Sequence, residues 1–344
     1  MKQIKLTPQD DIQAILDSYP LDSKLEVYLS NGFYKQKLTI RHPDLKLIGE
    51  SHDAIISFDD HALTFHADGL LMNTFRTQTV LIVADHVMLS NLTIENTSGT
   101  GPKIGQAIAL SSYGNETMIQ NCVLKSTQDT VFFGPLPSDL ILRYDHILSG
   151  PELINRPLRQ FIFDSTIIGN IDFIFGGSDA FFDHCTIISN GSGYISAPST
   201  HPKSSFGLVF NGCSFQSLGQ YNIVLSRPWR SGGKAIFIDS TFNMPIALER
   251  YMDWDKPYFE HYEIPYVPHP LSKPLPETMK LSISEIIAEK RFFLHVEVFL
   301  SVVVSDIFND STQDFIVFRE QTCFNPATYF ITQESSKVFM TWVA

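Results

Sequence analysis

The sequence predicts an all-β chain wound as a solenoid, with a short capping helix at its N-terminal end and a C-terminal extension of unplaced role. Three observations lead there. One local pattern keeps returning between about residues 80 and 245. The returns are short apolar strands with no helical period between them. The chain also carries 27 Phe residues, an aromatic load suited to stacked interior ladders or to a groove for flat rings.

In each return an alternating apolar run meets a small or polar residue, then a Leu, Cys or Ser, then a second apolar stretch. The copies include Val87-Met88-Leu89-Ser90-Asn91-Leu92, Thr117-Met118-Ile119-Gln120-Asn121-Cys122 and Phe161-Ile162-Phe163-Asp164-Ser165. They continue with Phe181-Phe182-Asp183-His184-Cys185, Val209-Phe210-Asn211-Gly212-Cys213 and Ile236-Phe237-Ile238-Asp239-Ser240. With Asn91, Asn121, Asp164, His184, Gly212 and Asp239 as equivalents, the spacings are 30, 43, 20, 28 and 27. Irregular returns of this length are the mark of stacked coils, each of which buries its inward face only against its neighbours. Asn and Asp suit the turns, because they bond to backbone and tolerate tight conformations. The Leu, Cys and Ser that follow then line up along the interior. A β-sandwich with strands of similar length leaves a related pattern.

The remaining elements follow in chain order. Pro8 to Tyr19 reads as a short helix capping the open end of the solenoid, where an uncovered edge would invite aggregation. The gap of 43 holds Gly134-Pro135-Leu136-Pro137 and Ser149-Gly150-Pro151, which predict a projecting loop over about residues 134–158. Prolines crowd at 265, 268, 270, 274 and 276, where a linker or strap is expected. Ser282–Lys290 reads as a helix, and Phe292–Val304 and Phe315–Arg319 as strands. The division drawn is a solenoid domain over 1–270 and an extension over 271–344.

Apolar residues make up 44% and charged residues 18%, ample for a large core. The formal net charge of −12 argues against nucleic acid, which needs Lys and Arg clusters. It also gives no general attraction to a polyanion, so a substrate with masked carboxylates fits better. Cys122, Cys185, Cys213 and Cys323 show no metal-ligand spacing and read as reduced, buried thiols. No metal or cofactor is expected. The N-terminal residues lack the apolar core of a secretory signal, and no apolar run is long enough to span a bilayer. The sequence as written therefore reads as a cytoplasmic monomer, or a secreted one if a signal has been removed, with no membrane partner.

Two aspartates stand out chemically. Asp172, in Gly169-Asn170-Ile171-Asp172-Phe173-Ile174-Phe175-Gly176, is walled in by apolar side chains, where a bare carboxylate is costly without a partner. Arg227, in Leu225-Ser226-Arg227-Pro228-Trp229, can supply that partner and hold Asp172 ionised as a nucleophile. Asp129, in Gln128-Asp129-Thr130, would have its pKa raised beside a second carboxylate and could serve as general acid, then base. Gln106 and Gln128 are neutral amide donors able to stabilise an oxyanion. Trp229, Tyr113, Phe133 and Phe175 are candidate stacking residues for sugar faces, although a single aromatic more often packs in a core. Gly99-Thr100-Gly101-Pro102 and Gly176-Gly177-Ser178-Asp179-Ala180 only approximate a nucleotide loop and a nucleophile elbow, and lack the helix that either requires.

Taken in order, these segments resemble the pectin methylesterase family. The likeness runs over about residues 25–255. It begins with Gly32-Phe33-Tyr34, Thr74-Phe75-Arg76-Thr77 and Asn91-Leu92-Thr93-Ile94-Glu95-Asn96. Gly105-Gln106-Ala107, Gln128-Asp129-Thr130, Asp172-Phe173-Ile174-Phe175-Gly176 and Arg227-Pro228-Trp229 complete it. The resemblance implies a right-handed single-stranded parallel β-helix. It implies Asp172 as nucleophile, Asp129 as acid and base, and Gln128 with Gln106 as oxyanion donors. Arg227 would orient the nucleophile, and Trp229 would contact substrate. The substrate implied is pectin or a methylated oligogalacturonide, and the product includes methanol. Gln36 and Ser226 depart from the family's usual Glu and Gly, and the Asp129-to-Asp172 stretch exceeds its norm, so an extra loop should border the groove. A lyase or glycosidase on the same polymer, a small non-pectin ester as substrate, and a non-catalytic carbohydrate-binding solenoid are the alternatives. The first wants acidic clusters that the sequence lacks.

Overall fold

In the computed structural model, residues 1–148, 150–307, 315–320, 327–334 and 337–343 are described, with side chains through Leu294. Cys323 lies outside them. The chain divides into two compact units, Met1–Lys280 and Leu281–Ala344.

The first unit is a single-stranded parallel β-helix. One face is an 11-stranded sheet that starts at Lys2–Leu6, Leu25–Leu29 and Lys46–Gly49 and ends at Glu260–Ile264 and Lys273–Pro274. Its neighbours pair in parallel throughout, as in Met118 with Met88 and Phe161 with Phe181. A 13-stranded sheet wraps the rest of each coil. Strands such as Ala54–Phe58, Thr93–Asn96 and Val123–Lys125 make one part of it. Val80–Ile82, Leu110–Ser112 and Val131–Phe133 make the other. The long strands Thr166–Gly176 and Thr186–Pro198 serve both parts and bend between them, with register irregularities between Gly169 and Ile174. Glycine is required at this bend. A Cβ on Gly169 would lie 2.3 Å from that of Phe173 and 2.5 Å from Thr130 Oγ1.

The repeat read from sequence is physical. Asn91, Asn121, Asp164, His184, Gly212 and Asp239 all sit in the left-handed region, with φ between 46° and 59°. Each of their amides donates to the next coil, as from Asn121 to Phe163 O at 3.0 Å and from His184 to Asn211 O at 2.9 Å. Asn121 Nδ2 also donates to Asn91 Oδ1 at 2.9 Å. Side chains with short polar arms accept this geometry at least cost after glycine. The residues that follow turn inward, so Leu92, Cys122, Ser165, Cys185 and Cys213 are buried. Burial pushes the Cys122 thiol up to about 12, consistent with an inert packing role.

Strand alternation fills the column. In Leu25-Glu26-Val27-Tyr28-Leu29 the odd positions are buried. Phe182, Phe210 and Phe237 stack coil upon coil, with centroids 4.9 Å and 5.0 Å apart and rings within 16° of parallel. Each such ring contributes about 2–3 kcal/mol by burial, with a smaller gain from stacking.

The N-terminal helix is Ile12–Asp17, shorter than the Pro8–Tyr19 expected. Asp11 caps it, accepting from the Ala14 amide at 2.9 Å, while Asp10 folds back on the Thr7 amide at 2.7 Å and makes residues 7–10 a turn. Ile12 and Leu16 bury against the first coils. Gln36 accepts from the Ile12 amide at 2.8 Å and donates to Asp10 O at 3.1 Å, a pairing that a carboxylate could not make in full.

In the second unit, Phe292–Val304 is corrected from strand to helix: it lies within Glu277–Ile307. An apolar run of that length carries no period that separates the two, and the preceding Leu, Ile, Ala, Glu and Lys residues propagate a helix opened at Glu277. Phe315–Glu320 is a strand as expected, in an antiparallel sheet with Ala327–Glu334 and Lys337–Val343. Among the described residues no helix is long and apolar enough to cross a membrane.

Candidate active site

Stacking brings the two aspartates together. Gln128 pairs in parallel with Ile171, and the Asp129 amide donates to Ile171 O at 3.0 Å. Asp129 and Asp172 therefore occupy the same position on successive coils. Both take the left-handed conformation, with φ of 64° and 48°. Asp172 lies at the bend of Thr166–Gly176, where the irregular register turns it outward while Phe173 goes into the core.

Arg227 enters from two coils further on. Its Nε donates to Asp172 Oδ1 at 2.8 Å and its Nη2 to Oδ2 at 2.6 Å, a two-pronged grip. The guanidinium is held between the rings of Tyr194 and Trp254, at 3.5 Å and 3.7 Å from their centroids. Trp254 has φ 47°, a conformation that costs a bulky residue of order 1–3 kcal/mol. The strain falls where the ring covers the arginine.

The two carboxyls have different environments. Burial raises Asp172 above the usual carboxylate range, and the bonds and charge of Arg227 pull it part of the way back. Burial raises Asp129 well above that range, the charge of Asp172 adds to the rise, and Gln128 and Arg227 oppose it less. A proton shared by the pair therefore resides on Asp129, and Asp172 holds the negative charge beside Arg227.

Asp129, Asp172, Gln106 and Gln128 open onto one cleft of about 360 Å³. Gln106 and Gln128 are successive in the stack, tied by the Ala107 amide to Gln128 O at 3.1 Å. Phe175 and Trp229 line the cleft and meet edge to face at 5.5 Å. Two of the expected stacking residues do not reach it. Phe133 is fully buried inside the coil, edge on to Phe182 at 5.9 Å, because strand alternation turns it inward with Val131. Tyr113 is buried beside Phe132 and is not among the residues facing the cleft.

Sequence reasoning missed Tyr194 and Trp254 on Arg227, and also Phe75, Arg143 and Tyr144 along the cleft. Trp254 had a signal: a tryptophan between two aspartates in Asp253-Trp254-Asp255 is poorly suited to a core. Arg143 and Tyr144 belong to the helix Ser138–Tyr144, inside the expected extra loop, which does border the cleft. Among the described residues, no cluster of His, Cys, Asp and Glu could hold a metal ion.

The Pectinesterase family profile matches residues 9–134 and 152–266. The chain belongs to the pectinesterase family. It is 30% identical over 244 residues to the probable pectinesterase/pectinesterase inhibitor 21 of Arabidopsis thaliana, covering 66% of this chain and 32% of that protein. To the putative pectinesterase/pectinesterase inhibitor 28 of the same plant it is 28% identical over 243 residues, covering 66% and 29%. The chain thus spans about a third of the length of these curated relatives. Among solved structures, pectin methylesterase from carrot superposes with a TM-score of 0.65 at 18% identity, covering 81% of this chain and 89% of that one. Pectin methylesterase from Yersinia enterocolitica gives 0.62 at 23%, covering 78% and 94%. These likenesses identify the fold as the right-handed parallel β-helix of that class.

Proposed function

We propose that this cleft hydrolyses methyl esters of galacturonate units in pectin or methylated oligogalacturonides and releases methanol. The observation that carries the reading is the unequal pair: an arginine-held Asp172 beside an Asp129 whose carboxyl burial pushes well above the usual carboxylate range. One of the solved structures with this fold is a pectin methylesterase in complex with a hexasaccharide, which supports an oligosaccharide substrate here.

The ionised Asp172 carboxylate attacks the ester carbonyl carbon. The electron pair of the C=O bond moves onto oxygen, and the amides of Gln128 and Gln106 donate to that oxyanion. Collapse breaks the bond to the methoxy oxygen, which takes the Asp129 proton and leaves as methanol. An Asp172 anhydride remains. Asp129, now a carboxylate, takes a proton from water as it attacks the sugar acyl carbon. Collapse expels the Asp172 carboxylate, Asp129 again holds a proton, and the sugar carboxylic acid leaves and gives its remaining proton to solvent. Arg227 fixes the nucleophile through both steps, and Trp229 offers an apolar ring to the sugar with Phe175 packed against it as support.

The test is methanol release from methylated pectin and from short methylated oligogalacturonides, with wild type and Asp129→Ala compared in parallel. Release by wild type that is lost in the variant is the expected result. Equal release by both would refute the assignment.

A further inference from the structure

Residues 135–151 lie between the two stretches matched by the family profile and are an insertion relative to it. Leu136, Leu140 and Leu148 bury on the outer aromatic cluster of Phe75, Phe132 and Phe175, and Tyr144 meets Phe75 at 5.6 Å. Asp139 is gripped by Arg230, Nε to Oδ1 at 3.1 Å and Nη2 to Oδ2 at 2.8 Å. The insertion is thereby fastened beside Trp229. Its helix turns Leu140, Arg143 and Tyr144 toward the same cleft as Asp129 and Asp172.

Arg143 differs from the other arginines here. Arg227 is committed to Asp172 and Arg230 to Asp139. Arg143 is exposed, its guanidinium lies 5.9 Å from the Tyr144 ring centroid and its charge helps to hold Asp139 below the usual carboxylate range, but among the described residues it closes no ion pair of its own. On a chain of formal net charge −12, an exposed guanidinium that faces a cleft without a bound carboxylate is a local device rather than part of a general field.

We infer that Arg143 is a specificity-determining residue that takes the free carboxylate of a sugar unit neighbouring the ester held at Asp172. A guanidinium donates two parallel bonds to a carboxylate, whereas a methyl ester in that place offers no charge and weaker acceptors. The inference rests on the esterase reading above. It directs hydrolysis to esters beside units already freed.

Two measurements on the full chain test it. The first is kcat/KM for methanol release from partly de-esterified against fully methylated galacturonan. Wild type should favour the former. In Arg143→Ala the ratio should fall about tenfold, through KM, and Arg143→Lys should restore part of it. The second is binding of unesterified hexagalacturonate, which Arg143→Ala should weaken about tenfold. An active Arg143→Ala protein with an unchanged ratio and unchanged binding would overturn the inference. A wild type that releases no methanol, yet binds hexagalacturonate through Arg143, would sink the esterase reading and leave the carboxylate site standing. Absence of both would remove both.

Discussion

Asp129 lies directly over Asp172 in the coil stack, its amide bonded to Ile171 O at 3.0 Å, and both hold positive φ. A carboxylate pair so placed cannot be doubly ionised without penalty. The Arg227 grip on one member decides which carries the charge.

Asp172→Asn should reduce methanol release at least roughly 10³-fold, because the nucleophile is gone. Stability should fall by about 1–3 kcal/mol, since Arg227 is left mostly buried with its charge uncompensated. Activity assay with a circular dichroism melt reads both. Substantial turnover in a folded variant would place the nucleophile elsewhere.

Asp129→Asn should show the linkage sign of a raised carboxyl. The folded pKa lies above the unfolded one, so wild-type stability from this group is full at pH below the unfolded value and is lost as pH rises through the folded value. The variant should therefore melt higher than wild type near neutral pH. That advantage should vanish below about pH 4, where both folded and unfolded Asp129 are protonated. Melting curves across pH 3–8 check it; a variant less stable at neutral pH contradicts it.

Gln128→Ala and Gln106→Ala should each lower kcat by roughly 10²-fold with little change in KM, the signature of a bond made mainly to the oxyanion. A pure KM effect would reassign them to ground-state binding.

Trp254→Ala should lower kcat/KM by about tenfold by loosening Arg227, while Trp254→Phe keeps most activity. Steady-state kinetics decide, and equal loss in both variants would point to the indole touching substrate instead.

Asn121→Val should cost about 1–2 kcal/mol, since a β-branched side chain is forced into φ 48° and the bond to Asn91 is lost. Asn121→Gly should cost less than Val, because glycine adopts that conformation freely. In a unit of this size each kcal/mol moves the midpoint by about 2–4 °C.

What was legible in the sequence tracks what is local or periodic. The corner residues from Asn91 to Asp239 could be aligned because a left-handed turn restricts residue type wherever it occurs. Asp129, Asp172 and Arg227 were legible because buried charges need partners and few were on offer. Phe133 was misjudged because Val131, Phe132 and Phe133 are all apolar, which hides alternation. The insertion covers the outer face, so Phe132 on that side is as buried as Phe133 within the coil. Tyr194 and Trp254 escaped because their partner, Arg227, is distant in sequence and meets them only through coil stacking. Phe292–Val304 was misread because its apolar run is as compatible with a helix as with a strand.

The left-handed corners hold coil pitch along one edge, and the connection after Phe133 lies elsewhere on the coil. The strands on either side of it keep their partners, Val131 with Ile174 and Met118 with Phe161, although 135–151 has been added between them. The stack is thus a fixed rail and the loops are exchangeable fittings. Ligand preference in such a chain can be rebuilt by grafting segments where those loops leave the coil, away from the corners, with no need to redesign the interior.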